Sequence, residues 1–319
     1  MKKTGLLLLL LAVAAGAQTA DSAPAASMEA PQNTVVTNAS FPHERIQTPT
    51  SADLYCAGFI TKDLLPDANF VAGGLNSPST TKFANGDIIY LQGSGYQAGQ
   101  QYSIIRELRD PNKGETYPGQ RKLVAATGHP YAEIGRARII DTRSHAAIAQ
   151  IEFSCDPINP GDVAVAFTEK TPIAFHAPVR FDRFLPASNK TSGRIVLGKD
   201  FDSVLGTGMK VYMNVGANQG VKVGDYFRAV RTYTADLKDP VDSLSFRAST
   251  TEDTQARPAA VEPTMLNRTK GPQIHLADLP RRAVGEIVVI SVTPSTATGM
   301  IVYAPEDVHA GDGVELDEQ

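Results

Sequence analysis

The chain has 319 residues, enough for two domains at the usual ~100 to 200 residues each, and its 42% hydrophobic content can build their cores. A net charge of −4 and a pI near 5.9 supply no concentrated positive field, which excludes nucleic acid and anionic membrane surfaces as natural partners. Trp is absent and only 7% of residues are aromatic, which argues against a sugar-stacking or base-stacking platform.

The chain opens with MKKTGLLLLLLAVAAGAQTA: two lysines, an apolar run, then the small residues Ala15, Gly16 and Ala17. This is the three-part pattern of a secretory signal peptide covering residues 1–17, cleaved after Ala17. The run is shorter than the ~20 residues that span a bilayer, no later run approaches that length, and no Cys follows for a lipid anchor. The leader is of bacterial type. The mature protein is therefore expected in the periplasm or outside the cell, with no transmembrane helix.

Residues 18–50 are rich in Ala, Ser, Pro, Thr and Asn without apolar periodicity, and read as a flexible tether. Ordered structure should begin near DLYCAGFI, which carries Cys56. The second cysteine is Cys155, and in an oxidising compartment an isolated pair of this kind is expected to form a disulfide. The competing readings, a redox pair or metal ligands, have no CxxC spacing and no nearby histidine cluster to support them.

From there short β-branched and aromatic runs alternate with Gly, Pro, Asn and Asp, the punctuation of an all-β protein. Strands are expected in NFVAGG, DIIYLQG, QYSIIREL, IGRARIID, AAIAQIEF and DVAVAF, and again in GRIVLG, KVYMNVG, DYFRAVRTY, VGEIVVISV, ATGMIVYA and DGVEL. The two series match. Without a gap, Gly135 falls on Gly285, Ile140 on Ile290, Ala147 on Ala297 and Ile151 on Ile301. Upstream, Tyr90 answers Tyr212 and Arg106 answers Arg231. The reading is two tandem small β-barrel modules, 51–180 and 181–319, each closed on itself to remove open edges. The copies differ most in a polar, Pro-containing loop at about 235–280 of the second.

Four Gly-Asp pairs recur before strands: Gly86-Asp87, Gly161-Asp162, Gly224-Asp225 and Gly311-Asp312. Gly reaches positive φ without steric cost, and the Asp side chain can accept from a backbone N–H two residues on, so these read as turns and not as repeated catalytic acids. Of the six histidines, His43, His129, His145, His176, His275 and His309, none forms a metal-ligand motif. The GSG at Gly93–Gly95 and the run GANQGVKVGD from Gly216 read as hairpin connections, the latter lacking the Lys-Ser/Thr of a phosphate loop. Asn38, Asn189 and Asn267 sit in sequons of no consequence in a bacterium.

The pattern GRIV, then GMKVYMNVGANQGVKVGDYFRAVR, then VGEIVVISVTPSTATGMIVYAPEDVHAGDGVEL resembles the small β-barrel of the C-terminal domain of flagellar assembly protein T, which is also found in LysM-associated envelope proteins. The resemblance covers most of 185–319 and, more weakly, 53–170. It implies a non-enzymatic module located near peptidoglycan or a surface machine, and it transfers no functional residue. No catalytic, cofactor-binding or metal residue is assigned. The expected function is a structural or partner-binding envelope protein whose partner is an envelope protein or a cell-wall glycan; the alternative is a secreted hydrolase whose site is assembled from distant residues.

Overall fold

The structure, a computed structural model, describes residues 46–112, 114–143, 145–174, 181–184, 186–232 and 280–317, all within one compact unit, Glu44–Gln319. The signal peptide, most of the tether and the 235–280 loop lie outside the described residues, apart from Pro280 of that interval, so these readings rest on sequence alone. The elements are α1 (Ser51–Tyr55), β1 (Phe59–Thr61), β2 (Phe70–Gly74), β3 (Ile88–Gln92), β4 (Gln101–Glu107), α2 (Gln120–Thr127), β5 (His129–Thr142), β6 (Ala147–Ser154) and β7 (Val163–Ala166). They continue with β8 (Ser192–Gly198), β9 (Val204–Leu205), β10 (Lys210–Met213), β11 (Tyr226–Arg231), β12 (Arg282–Val292), β13 (Ala297–Tyr303), β14 (Val308–His309) and β15 (Gly313–Leu316).

Two closed six-stranded barrels result, and their connectivity is the same. The first runs β2-β3-β6-β5-β4-β7 and returns to β2, with β1 added outside β5; the second runs β8-β10-β13-β12-β11-β15 and returns to β8. Even the irregularities repeat. Bulges at Arg136/Ala137 and Ile139/Asp141 on β5 recur at Glu286/Ile287 and Val289/Ser291 on β12, and the one at Ile104/Ile105 on β4 recurs at Ala229/Val230 on β11. The lone bridge of Phe83 with Ile158 becomes the two-residue pairing of β9 with β14, Leu205 opposite Val308. Each interior is filled by one alternate set of side chains, Ile89, Leu91, Ile104, Ile139 and Ile151 in the first, Val211, Met213, Phe227, Val289 and Ile301 in the second.

The ring order corrects one local expectation. GSG and GANQGVKVGD are not hairpin turns, because β3 and β4, like β10 and β11, share no hydrogen bonds and lie apart in the ring. Both segments are crossing connections, the second wound around a 3-10 turn at Ala217–Gln219.

Between the barrels runs a strap that begins earlier than residue 51. Gln47 N–H donates to Val302 O, and Thr50 caps α1 through a reciprocal capping box with Asp53, whose carboxylate meets Lys210 Nζ at 2.8 Å. Leu54 and Ala57 then pack on Val288, Ile290, Met300 and Val302, on the outside of the second barrel. The next residues belong to the first: Cys56 is disulfide-bonded to Cys155 and β1 pairs with β5. The outer edge of this strand is closed by the second barrel, since Gly58 O accepts from Thr298 Oγ1 at 2.8 Å and Ile60 O from Thr296 Oγ1 at 2.6 Å. Gly58 sits at φ +65°, and a Cβ there would collide with the hydroxyl of Tyr212 and with Tyr131 O.

A second joint comes from the β4–β5 connection. Tyr117, 1% exposed, donates from its hydroxyl to Val196 O at 3.1 Å, lies against Gly311, and has the Arg194 guanidinium over its ring at 5.7 Å. Leu123 and Val124 of α2 complete an apolar layer with Ile60, Val196, Leu197 and Tyr212. Burying one such side chain is worth ~1.5 to 3 kcal/mol, so the barrels are held as one body and not as beads on a linker.

Replacing both cysteines by serine removes a cross-link spanning 99 residues and should lower stability by about 4 to 5 kcal/mol in the chain-entropy account. Because the strap lies on the second barrel, amide exchange should accelerate at Leu54–Ile60 and also on β12 and β13. Acceleration confined to β2–β7 would contradict this coupling.

Candidate functional site

The four Gly-Asp pairs build one turn four times. In each, Gly has positive φ, between 87° and 101°. The Asp carboxylate accepts from the N–H three residues before it, that of Ala84, Asn159, Lys222 or His309, at 2.7 to 2.8 Å. The Asp N–H donates back to the carbonyl of that same residue. The expected bond to an N–H two residues on is thus replaced by a reciprocal one three residues back, because the left-handed Gly turns the chain onto itself before the Asp.

At Asp162 and Asp312 an arginine is added. Arg106 on β4 donates from Nε and Nη2 to the two Asp162 oxygens, both at 2.7 Å, and from Nη2 to Pro157 O at 2.8 Å. Arg231 on β11 repeats this with Asp312, at 2.9 and 2.7 Å, and with Asp307 O at 2.7 Å. The same dipeptides bond to the strand on the other side: Gly161 N–H to Val71 O and Val71 N–H to Asp162 O, then Gly311 N–H to Ile195 O and Ile195 N–H to Asp312 O. Each pair therefore ties the final strand of its barrel to both neighbours.

The most site-like feature lies beside the disulfide, on the outer wall of the first barrel, in a cleft lined by Tyr55, Ser103, Glu133, Arg136, Phe153 and Phe167, together with Thr168 and Lys170. The Arg136 guanidinium stands over the Phe167 ring at 4.8 Å and the Tyr55 ring at 5.6 Å, and its Nε is 3.3 Å from Glu152. Lys170 Nζ meets both Glu133 oxygens and Leu54 O, each at 2.7 Å. The cleft thus brings together two aromatic rings under a guanidinium, a lysine–glutamate ion pair and hydroxyls. No linear motif marks it, since its residues come from α1, β4, β5, β6 and the segment after β7.

The corresponding wall of the second barrel is charged. Arg228 and Glu286 stand where Ser103 and Arg136 do, directly opposite each other across β11 and β12. Arg228 is bidentate to Asp317, Arg281 to Glu315, and Arg228 Nη1 is 3.8 Å from Glu315. Burial pushes the Glu286 carboxyl up to about 7; the Asp317 carboxylate pushes the same way and Arg228 opposes.

Tyr90 and Tyr212 both occupy the outer wall, half-exposed in the first barrel and buried in the joint in the second. His129 contacts Glu107, buried His309 belongs to the Asp312 turn and His145 is exposed, while His43, His176 and His275 lie outside the described residues, as do Asn38 and Asn267. Among the described residues no three His, Cys, Asp or Glu side chains form a metal-holding group, and no helix is long and apolar enough to cross a membrane.

Removing one partner of a buried ion pair costs ~3 to 5 kcal/mol. Asp312→Ala, whose Arg231 is 3% exposed, should reach that range, and Asp162→Ala should cost less because Arg106, 29% exposed, can rehydrate; urea denaturation of the two variants checks the order. Glu286 carries the opposite pH signature to a paired carboxylate. With its folded pKa raised from 4.5 to about 7, its contribution is fully present below pH 4.5 and is lost as pH rises through 7. Glu286→Gln should therefore flatten the loss of stability between pH 5 and 8, measured by urea midpoints at the two pH values.

The chain matches no known protein-family profile and no curated protein.

Proposed function

We propose that this chain is an exported, non-enzymatic protein of the bacterial cell envelope that acts as a structural and partner-binding body. The observation that carries this reading is the repeated arginine clasp. Asp162 and Asp312, the recurring carboxylates that a hydrolase reading would use as acids, have their oxygens taken up by guanidinium and backbone donors in both copies. Export is supported by the leader pattern and by the Cys56–Cys155 disulfide, which belongs to oxidising compartments. The resemblance to the barrel of flagellar assembly protein T, and to LysM-associated envelope proteins, points the same way.

For the partner, the Tyr55–Phe167–Arg136 cleft favours a cell-wall glycan with its acidic peptide, because the Arg136 guanidinium, stacked on two aromatic rings, stands in a cleft where it would meet a carboxylate. The test is sedimentation of the protein with purified peptidoglycan. Arg136→Ala should weaken retention about tenfold, the equivalent of ~1.4 kcal/mol and within the range of a desolvated cation–π contact, while removal of residues 241–280 should leave it unchanged. Retention that depends on 241–280 and ignores Arg136 would move the contact to the loop. Turnover of an ester, peptide or glycan substrate, abolished by one substitution that leaves the fold intact, would overturn the non-enzymatic reading.

A further inference from the structure

The two barrels treat one stretch of outer wall in opposite ways, and their registers match it residue by residue. Ser103 faces Arg136 and Val165 in the first barrel as Arg228 faces Glu286 and Glu315 in the second. Immediately past the last strand, Phe167 N–H donates to Gln101 O and Asp317 N–H to the equivalent Tyr226 O, so Phe167 stands at the position of Asp317. In the second barrel this position carries a carboxylate: Asp317 accepts from Arg228 Nε at 3.2 Å and from Nη2 at 2.7 Å, a planar two-point contact. There the chain supplies the acid itself.

In the first barrel the acids are gone and an arginine is present. Val165 and Phe167 replace Glu315 and Asp317, while Arg136 replaces Glu286 and lines the cleft with Tyr55, Ser103 and Phe167, its side chain 30% exposed and so within reach of a ligand. Among the described residues Glu152 is the one carboxylate within ion-pair distance of Arg136, at 3.3 Å, and Arg136 Nε has no hydrogen-bond partner. The Glu152 oxygens already accept from Arg138 and Gln101, so one carboxylate serves two guanidiniums. Lys170 adds no surplus, being matched by Glu133. These groups are left with one positive charge in excess, on a planar group held against the Tyr55 and Phe167 rings, whose centroids are 5.6 Å apart.

We infer that this cleft is a carboxylate site, in which the free carboxylate at the end of a peptide chain sits on Arg136 as the chain's own Asp317 sits on Arg228. The ligand thereby supplies to the first barrel the charge that residue 317 supplies to the second. A guanidinium already stacked on two rings loses little freedom when it binds, and its fork matches the two oxygens of a carboxylate. A chain end is preferred to an internal acidic residue because it brings one arm of backbone against the wall and not two. The inference rests on the reading of the cleft as the wall-binding site, and it narrows the group recognised there to the acidic end of the peptide.

The experiment is an amide-shift titration of the isotope-labelled exported protein, at physiological salt, with N-acetyl-alanyl-alanine, with its C-terminal amide, and with N-acetyl-alanyl-glutamyl-alanine amide. The free acid should shift the amides of residues 133–136 and 167–170 with a dissociation constant on the order of 1 mM, and the two amides should bind about tenfold more weakly. Arg136→Gln should remove the difference between acid and amide. Phe167→Asp, which gives the first barrel the acid of the second, should do the same with Arg136 in place, whereas Phe167→Leu should keep the preference for the acid. Unchanged amide positions on β11 and β15 show that the variants are folded. Equal binding of acid and amide, equal binding of the internal glutamate, or acid binding that Phe167→Asp leaves intact would each overturn the inference. Retention on peptidoglycan alongside equal binding of acid and amide removes this inference alone; acid-selective binding at Arg136 without retention upholds it and removes the wall reading.

Discussion

A guanidinium buried or half-buried among strands has to be neutralised where it stands, and in both barrels the neutralising carboxylate belongs to the residue just before the last strand. Arg106 and Arg231 reach from β4 and β11 to Asp162 and Asp312, while the backbone of those same Gly-Asp pairs bonds to β2 and β8 on the other side. A final strand that slipped by one residue would lose the ion pair and leave a charge in a low-dielectric wall, which makes the clasp a register lock as well as a closure. The other Gly-Asp turns, at Asp87 and Asp225, have no arginine on their carboxylates among the described residues and sit just before strands within the ring. Turn and closure are thus separable: Gly and Asp make the turn, and the arginine makes it a closure.

Once both rings close alike, the difference between the copies lies on their outer walls. The interiors are apolar in both, whereas Arg136 with its aromatic faces gives way to Glu286 opposite Arg228, and Phe70 gives way to Arg194. Outward positions of a barrel carry no packing constraint from its interior, so a duplicated module can change them one at a time. The first barrel keeps an aromatic and cationic cleft; the second has a charge network there and a wall given over to the joint.

The strap couples these regions. Residues 47–61 touch the second barrel through Leu54, Ala57 and two threonine hydroxyls, and the first through the disulfide, β1 and Lys170. Tyr55 of the cleft lies in the same α1 turn as Leu54, so the geometry of the cleft depends on the strap being seated. The shape of the cleft and the seating of the barrels therefore share a few residues of one short segment.

Much of the architecture was legible in the sequence. Strand positions follow from alternation and from Gly and Asp punctuation, the duplication from a gap-free match across Gly135–Asp162 and Gly285–Asp312, and the cysteine pairing from compartment and number, because each of these is local or periodic along the chain. The short α1 and β1 were hidden around DLYCAGFI, where five helical residues bury only Leu54 and show no period. The ring order, the arginine partners of Asp162 and Asp312, and the cleft of Tyr55, Arg136, Glu133 and Lys170 were decided by the tertiary structure. Their members are 37 to 115 residues apart in its hydrogen bonds, and only barrel closure brings them within reach of one another. The same holds for Tyr90 and Tyr212: sequence makes them equivalent, and only the docking of one barrel on the other buries the second, while the first is half-exposed among the described residues.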